Sequence, residues 1–355
     1  MSDLFDYKKE MSQLRFTDEQ KKTLAEAAAS AAGRTAKRRR PVFRTALIAA
    51  AMVMVLAAGA SAAGILPSPT EIFAPLFGGS VAQTEVIDKI GRPIGASDSD
   101  NGITITADAI MGDKYNAVIV YTLSRDDGQP FLPEGVTPEQ LMVGGFSGMD
   151  WIQGGSHGTA GFTTGLGQDG ASASSVQYVE KVSTDRPMTG GTATAEFENL
   201  SYSDANGDIQ RLYDGHWKFR FDVDFEDCGV YLGSGETVSQ DGLTFTINQV
   251  MVSPIAVQTA YTADLAVVWD DNGGSGQQSR EDARQAQRYL ENIEILLTKT
   301  DGTVIDLSNS GGSITPDYEA NVSRCTKGEV LDEIIPLEEL ESVSVAGVVY
   351  EIPHE

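Results

Sequence analysis

The sequence predicts a mainly β protein: two tandem Ig-like β-sandwich domains carried on a single N-terminal transmembrane helix, with a short helical head on the cytoplasmic side. Three observations carry that prediction. The charges change sign across an uncharged run of 22 residues, Thr45 to Leu66. A pattern recurs at an offset of 140 residues in the long C-terminal part. That part is also built of short apolar and polar alternations punctuated by Gly, Asp and Asn, which favours sandwiches over parallel α/β units.

The head is 1–44. Leu4, Tyr7, Met11 and Leu14 recur at helical spacing and share one face, with Lys8, Lys9 and Ser12 on the other side. Phe16-Thr17-Asp18-Glu19-Gln20 restarts a helix: Thr17 caps it, Gln20 completes a capping box, and the two acids suit the positive end of the dipole. This second helix runs to Ala32 and ends at Gly33. Two such helices bury little by themselves, so their apolar faces dock on a partner or lie on the membrane interface; a solvated tail is the alternative.

The run 45–66, TALIAAAMVMVLAAGASAAGIL, is about 33 Å long as a helix at ~1.5 Å per residue, which matches a hydrocarbon core of ~30 Å. Lys37, Arg38, Arg39, Arg40 and Arg44 lie directly before it, and the far flank is uncharged until Glu71. By the positive-inside bias the N-terminus is cytoplasmic and the remainder is outside. Ala60-Ser61-Ala62 also has the form of a signal-peptide cleavage site, but the charged leader is long for one, so a retained anchor is expected. Met1 to Arg44 holds 11 basic and 6 acidic residues, and Pro67 to Glu355 holds 15 and 45. The +5 head and −30 tail together make the formal charge of −25. That acidity excludes a phosphate-binding footprint, hence nucleic acid, and an outer surface of −30 favours cations or basic peptides as ligands.

Residues 67–93 read as a helical or irregular connector, 94–226 as the first outer domain and 227–355 as the second. Asn101-Gly102-Ile103-Thr104-Ile105-Thr106 resembles Asp241-Gly242-Leu243-Thr244-Phe245-Thr246, and at the same offset Met111 meets Met251 and Tyr121 meets Tyr261. Each copy opens with a turn dipeptide and then alternates apolar residues with Thr, the pattern of a half-buried strand. Further strands are expected at Asn116–Ser124, Ala193–Leu200, Trp217–Phe225, Ala263–Trp269, Ile293–Thr300 and Val343–Ile352. Gly144–Gly191 reads as a long loop or hairpin, and Asp270–Glu291 as a polar insertion holding one helix.

The chemistry of catalysis is thin. His157, His216 and His354 are scattered and belong to no metal or nucleophile motif, so no catalytic, cofactor or metal residue is assigned and an enzyme is not expected. Asp204-Ala205-Asn206-Gly207-Asp208 starts like a calcium loop, but Ile209 stands where the turn glycine belongs, which leaves a turn. Asp222, Asp224 and Glu226 share one side of a strand and read as a solvated face. Cys228 and Cys325 both fall on the outer side, where a disulfide can persist; two reduced thiols are the other reading, because spacing does not fix geometry.

The order of features, a Phe-Asp-Tyr-Lys-Lys head, the FTDEQ helix start, the KRRR stop, one span, then NGITITADAIMGDKYNAVIVYTL, DGHWKFRFDV and PLEELESVSVAGVVYEIP, resembles a family of single-pass, anti-sigma-factor-like proteins of Gram-positive bacteria. The outer portion of that family is catalogued as a domain of unknown function followed by a second β domain. The resemblance implies a regulator whose cytoplasmic helices hold an extracytoplasmic-function sigma factor while the outer domains respond to an envelope condition. It makes Leu4, Tyr7, Met11, Leu14, Phe16 and Leu24 the candidate sigma contacts. Zinc-type anti-sigma domains carry a His/Cys cluster, and the segment before the span has neither residue. The competing expectation is a surface-displayed binding or structural module with no transcriptional role.

Overall fold

The structure is a computed structural model that describes residues 66–354 apart from 144–156, 166–172, 189, 225, 234 and 271–278. The head with its expected sigma contacts, the basic cluster Lys37–Arg44 and residues 45–65 lie outside the described residues. Among the described residues no helix is long and apolar enough to cross a membrane. The protein is mainly β, with four sheets among the described residues.

The connector is helical. Ser68 and Ser80 start α1 (Pro69–Phe77) and α2 (Val81–Ile90) through capping boxes: each Ser oxygen accepts the N–H three residues on, and Glu71 and Gln83 reach back to the Ser N–H at 2.8 and 3.0 Å. Pro69 takes the first helical position, where a missing N–H is not needed.

The first half packs two antiparallel sheets. One has the order β1 (Gly91–Asp100), β2 (Ile103–Gly112), β3 (Asn116–Arg125), β6 (Ser175–Thr184), β5 (His157–Gly165); the other is β4 (Leu141–Val143), β7 (Gly191–Ser203), β8 (Ile209–Val223). Both sheets supply one apolar cluster, in which the Tyr121 ring meets Phe197 edge-on at 5.1 Å. Trp217 is fully buried there because its indole N–H finds the Ile103 carbonyl at 2.9 Å.

The second half repeats the plan. One sheet runs β10 (Glu236–Gln240), β11 (Leu243–Ser253), β12 (Ala256–Ala263), β16 (Val322–Val330), β15 (Gly312–Asp317), with β9 (Val230–Leu232) also on β11. The other runs β14 (Val304–Asp306), β13 (Ile295–Lys299), β17 (Leu340–Val345), β18 (Val348–Glu351), and a second cluster lies between them. The expected helix of the polar insertion is α3 (Arg280–Ala286), capped by Ser279 and continued by one π turn, Gln287–Glu291.

The 140-residue offset is structural. Asn101-Gly102 and Asp241-Gly242 both turn with positive φ, at 49° and 77° and at 51° and 74°, the conformation a two-residue hairpin requires. β2 and β11 each carry a bulge seven residues into the repeat, at Asp108 and at Asn248. Each bulge residue bonds the equivalent threonine: Thr122 Oγ1 donates to Asp108 at 2.6 Å, and Asn248 Nδ2 donates to Thr262 Oγ1 at 2.8 Å. Tyr121 and Tyr261 are buried at matching places in the two clusters.

A third cluster joins the halves. It takes Phe73, Phe77, Ile87 and Ile90 from the connector helices, Met111, Val118, Val120 and Val179 from the first sheet, and Met251, Ile255, Val330 and Ile334 from the second half. The first sheet is therefore covered on both faces, which is why β3 is buried without interruption from Asn116 to Tyr121 rather than alternating.

Several boundaries differ from expectation. β12 stops at Ala263, because Asp264 turns back to bond both backbone groups of Thr244, and Leu265 and Val268 face solvent. β8 begins eight residues before Trp217, pairing a polar stretch to β7. Val343–Ile352 is not one strand but the hairpin β17–β18, turned at Ala346-Gly347 with φ of 49° and 82°. The Gly/Ser-rich segment, expected as a long loop or hairpin, does contain a hairpin, β5–β6, whose second strand lies between β3 and the edge strand β5.

Candidate functional site

The junction between the halves concentrates the polar groups that packing alone does not explain. Its centre is Asp113, which is wholly buried. Its Oδ1 accepts the N–H groups of Tyr115 and Asn116, both at 2.8 Å, and the Asn116 side chain shares its two oxygens. Across the junction Ser253 Oγ donates to Oδ2 at 2.6 Å. Burial pushes the Asp113 carboxyl up, and these donors oppose that shift. Asp113 and Ser253 are themselves 140 positions apart, so the halves touch through equivalent positions of the repeat.

Beside this contact the segment after β6 reaches over the second half. Thr184 and Met188 tie it to the carbonyls of Tyr115 and Lys114 at 2.9 and 2.7 Å, and Gln258 Nε2 donates to the Thr184 carbonyl at 2.8 Å from the other side. Asp185 and Arg186 are thereby held opposite the outer face of the β11–β12–β16–β15 sheet. Between them lies an open cleft of about 440 Å³. Its floor is neutral and mixed: Asn248, Ser313, Thr315 and Thr326 supply polar groups, with Ser313 and Thr326 hydroxyls 2.8 Å apart, and Ala260 and Cys325 lie among them. Arg324 stands on the far rim, with one guanidinium nitrogen 2.9 Å from Asp317. Asp185 Oδ1 is shielded from solvent and has no hydrogen-bond partner among the described residues.

Lys327 lies on the opposite side of β16, 1% exposed. Its ammonium donates to the carbonyls of Ser308, Ile293 and Leu290 at 2.6, 2.7 and 2.8 Å, so it closes the end of the π turn and fastens the entry to β13. Burial lowers its pKa to about 8.

The two cysteines do not form the bridge that the sequence left open; both are free thiols. Cys228 packs against the junction cluster and Cys325 lies inside the second-half core. Burial pushes both thiols up to about 12, so neither is an activated nucleophile. The acidic face read at Asp222 and Asp224 is exposed, and Asp204 closes its turn by accepting the N–H groups of Asn206 and Asp208.

One grouping escaped the sequence reading. Glu196, Glu198 and His216 offer ligand atoms within 4.8 Å of one another, because cross-strand pairing puts Glu198 opposite His216 and Glu196 opposite Lys218. Glu196 already bonds His216 Nε2 at 2.7 Å and Lys218 Nζ at 2.6 Å, and the hydrogen bonds from Lys218 and His216 hold its carboxyl below the usual range. A metal ion there has to displace an ammonium, so the group reads as a surface charge network. Its signal, alternate Glu residues facing a His on the next strand, needed the register to be seen.

Residues 37–125 match the model of a family described as a domain of unknown function, DUF4179. No curated protein matches the chain. Among solved structures the chain is similar to the conserved domain protein from Bacillus anthracis, at 14% identity and a TM-score of 0.45, over 72% of this chain and 76% of that one.

Proposed function

We propose that the protein is a membrane-anchored regulator of the anti-sigma-factor type: an outer region that senses, a span at 45–66, and a cytoplasmic helix pair that binds an extracytoplasmic-function sigma factor. Each sheet pair is read as an Ig-like sandwich domain, 94–226 and 227–355. The observation that carries the proposal is the position of the connector. α1 begins three residues after the apolar run ends, and α1 and α2 bury Phe73, Phe77, Ile87 and Ile90 where the two halves meet. Ile334 N–H bonds the last carbonyl of α1 at 2.9 Å, and Gln83 on α2 bonds the Ile334 carbonyl at 2.9 Å. A change in the angle between the halves therefore bears on the segment that leads into the span. The family match supports the same unit, since it runs from the basic cluster through the apolar run into β3.

The test is retention of a sigma factor by the tagged full chain in mild detergent. Retention that is lost in the Leu4→Ser, Met11→Ser, Leu14→Ser triple variant is the expected result. Failure of the wild-type chain to retain any of the candidate sigma factors overturns the proposal.

A further inference from the structure

We propose that the cleft beneath Asp185 and Arg186 is a binding site for a small organic acid that carries a hydrogen-bond donor next to its anionic group: a carboxylate or phosphate beside an amine or hydroxyl. Three observations point the same way. First, the cleft has the size of a small-molecule site, about 440 Å³, and its wall and floor come from different halves of the chain. Second, the Arg186 guanidinium has no hydrogen-bond or ion-pair partner among the described residues, and Arg324 across the floor commits one nitrogen to Asp317 and keeps further donors. Two guanidiniums facing one space suit an oxyanion. Third, Asp185 Oδ1 is shielded and unpaired, and a shielded carboxylate oxygen without a partner is costly unless a donor arrives. The ligand that satisfies all three carries both an acceptor anion and a donor.

The neutral floor has hydroxyl and amide partners for a polar ligand body, beside apolar surface from Ala260 and Cys325. Asn248, Ser313, Thr315 and Thr326 offer both donors and acceptors, and the side chains lining the cleft are not aromatic apart from Tyr261, whose ring lies in the core cluster. The −30 of the outer region does not forbid an anion here. Fields from distant carboxylates are screened beyond ~8–10 Å, whereas the guanidiniums act at contact. The expectation of a cationic ligand came from net charge, whereas the guanidiniums of Arg186 and Arg324 suit an anion at this one place.

Binding across this cleft joins Asp185 and Arg186 of the first half to the outer sheet of the second, next to the Asp113–Ser253 contact. It would thereby set the angle on which the connector helices depend. That consequence rests on the sensory reading above, but the binding itself is measured directly and stands apart from the sigma-factor test.

The experiment is isothermal calorimetry on the full chain in mild detergent with four probe classes: free amino acids, sugar acids, sugar phosphates and inorganic phosphate. Glucose and spermidine serve as neutral and cationic controls. The expected result is saturable binding of at least one organic acid bearing a neighbouring donor, tighter than inorganic phosphate, with the sources separated by which class binds. Arg186→Ala and Asp185→Asn should each weaken it roughly 10- to 100-fold, as loss of a charge-assisted hydrogen bond does. Arg186 is exposed, so its removal leaves the fold intact, and an unchanged melting midpoint verifies this. No binding of any acid at millimolar concentration, binding of spermidine alone, or acid binding indifferent to both substitutions overturns the proposal.

Discussion

Replacing Asp108 by Asn should stabilise the protein at about pH 8 and change little near pH 4, and the repeat explains why the replacement is tolerated. Asp108 sits in the β2 bulge, and partial burial raises its carboxyl to about 7, against the single favourable hydrogen bond from Thr122. The equivalent bulge in β11 already carries Asn248, bonded to the equivalent Thr262, so the amide has a proven geometry at this place in the fold. Between pH ~4 and ~7 the folded protein holds a proton that the unfolded chain has released, and stability falls as the pH rises through that window. Above about 7 the full cost is present. Moving a carboxyl from 3.8 to about 7 corresponds to a ceiling of ~4 kcal/mol, and residual solvent contact reduces it to ~2–4 kcal/mol. Urea unfolding followed by tryptophan fluorescence at several pH values measures it, since Trp217 is fully buried. D108N should gain that amount at about pH 8 and ~0.5 kcal/mol or less near pH 4. A loss of stability at about pH 8, or a gain independent of pH, refutes the reasoning.

Three further outcomes follow from the packing. Ser253→Ala removes the donor that a wholly buried carboxylate receives across the junction and should cost ~2 kcal/mol in the same urea assay; a cost within error of zero denies that the contact matters. Lys327→Met strips the carbonyls of Ser308, Ile293 and Leu290 of their buried donor and should cost ~3 kcal/mol or more, whereas a variant as stable as wild type would show that the ammonium is dispensable. Cys228 and Cys325 should resist an aromatic disulfide reagent in the folded state and react once unfolded, with no change of unfolding midpoint on adding reductant; a reductant-sensitive midpoint would mean that a bridge forms.

What was legible in the sequence is what depends on local chemistry. Asn101-Gly102 and Asp241-Gly242 announce their turns because few other pairs tolerate positive φ twice, and the alternation after each announces the strand. The one helix expected within Asp270–Glu291 is there, and the structure shows that Ser279 caps it. β6 was hidden because Gln177 and Glu180 interrupt its apolar residues; both are buried, and Glu180 is bonded by Tyr121 from the neighbouring strand. The cleft was hidden for a different reason. Asp185 and Arg186 follow one strand, Asn248, Ser313 and Arg324 come from three others, and no spacing along the chain brings them together. Nothing in the sequence marks Lys327, since the carbonyls of Ile293 and Ser308 that receive it come from 34 and 19 residues earlier in the chain.

The repeat also explains why the junction is made of unlike residues. Contact between equivalent positions is what a symmetric dimer of identical units makes at its two-fold axis, where a residue meets its own copy. Were both positions Asp, two buried carboxylates would stand within hydrogen-bond distance and could not both ionise; were both Ser, the N–H groups of Tyr115 and Asn116 would lose their acceptor. One Asp and one Ser satisfy each other, and only a chain that carries both in order can close the contact. Divergence at 113 and 253 thus favours pairing of the first half with the second half of the same chain over pairing of two like halves. The same divergence makes the neighbouring surfaces unequal. Asn248 in the second half is exposed and opens to the cleft, whereas its counterpart Asp108 in the first half is largely desolvated, so the two equivalent positions present unlike surfaces.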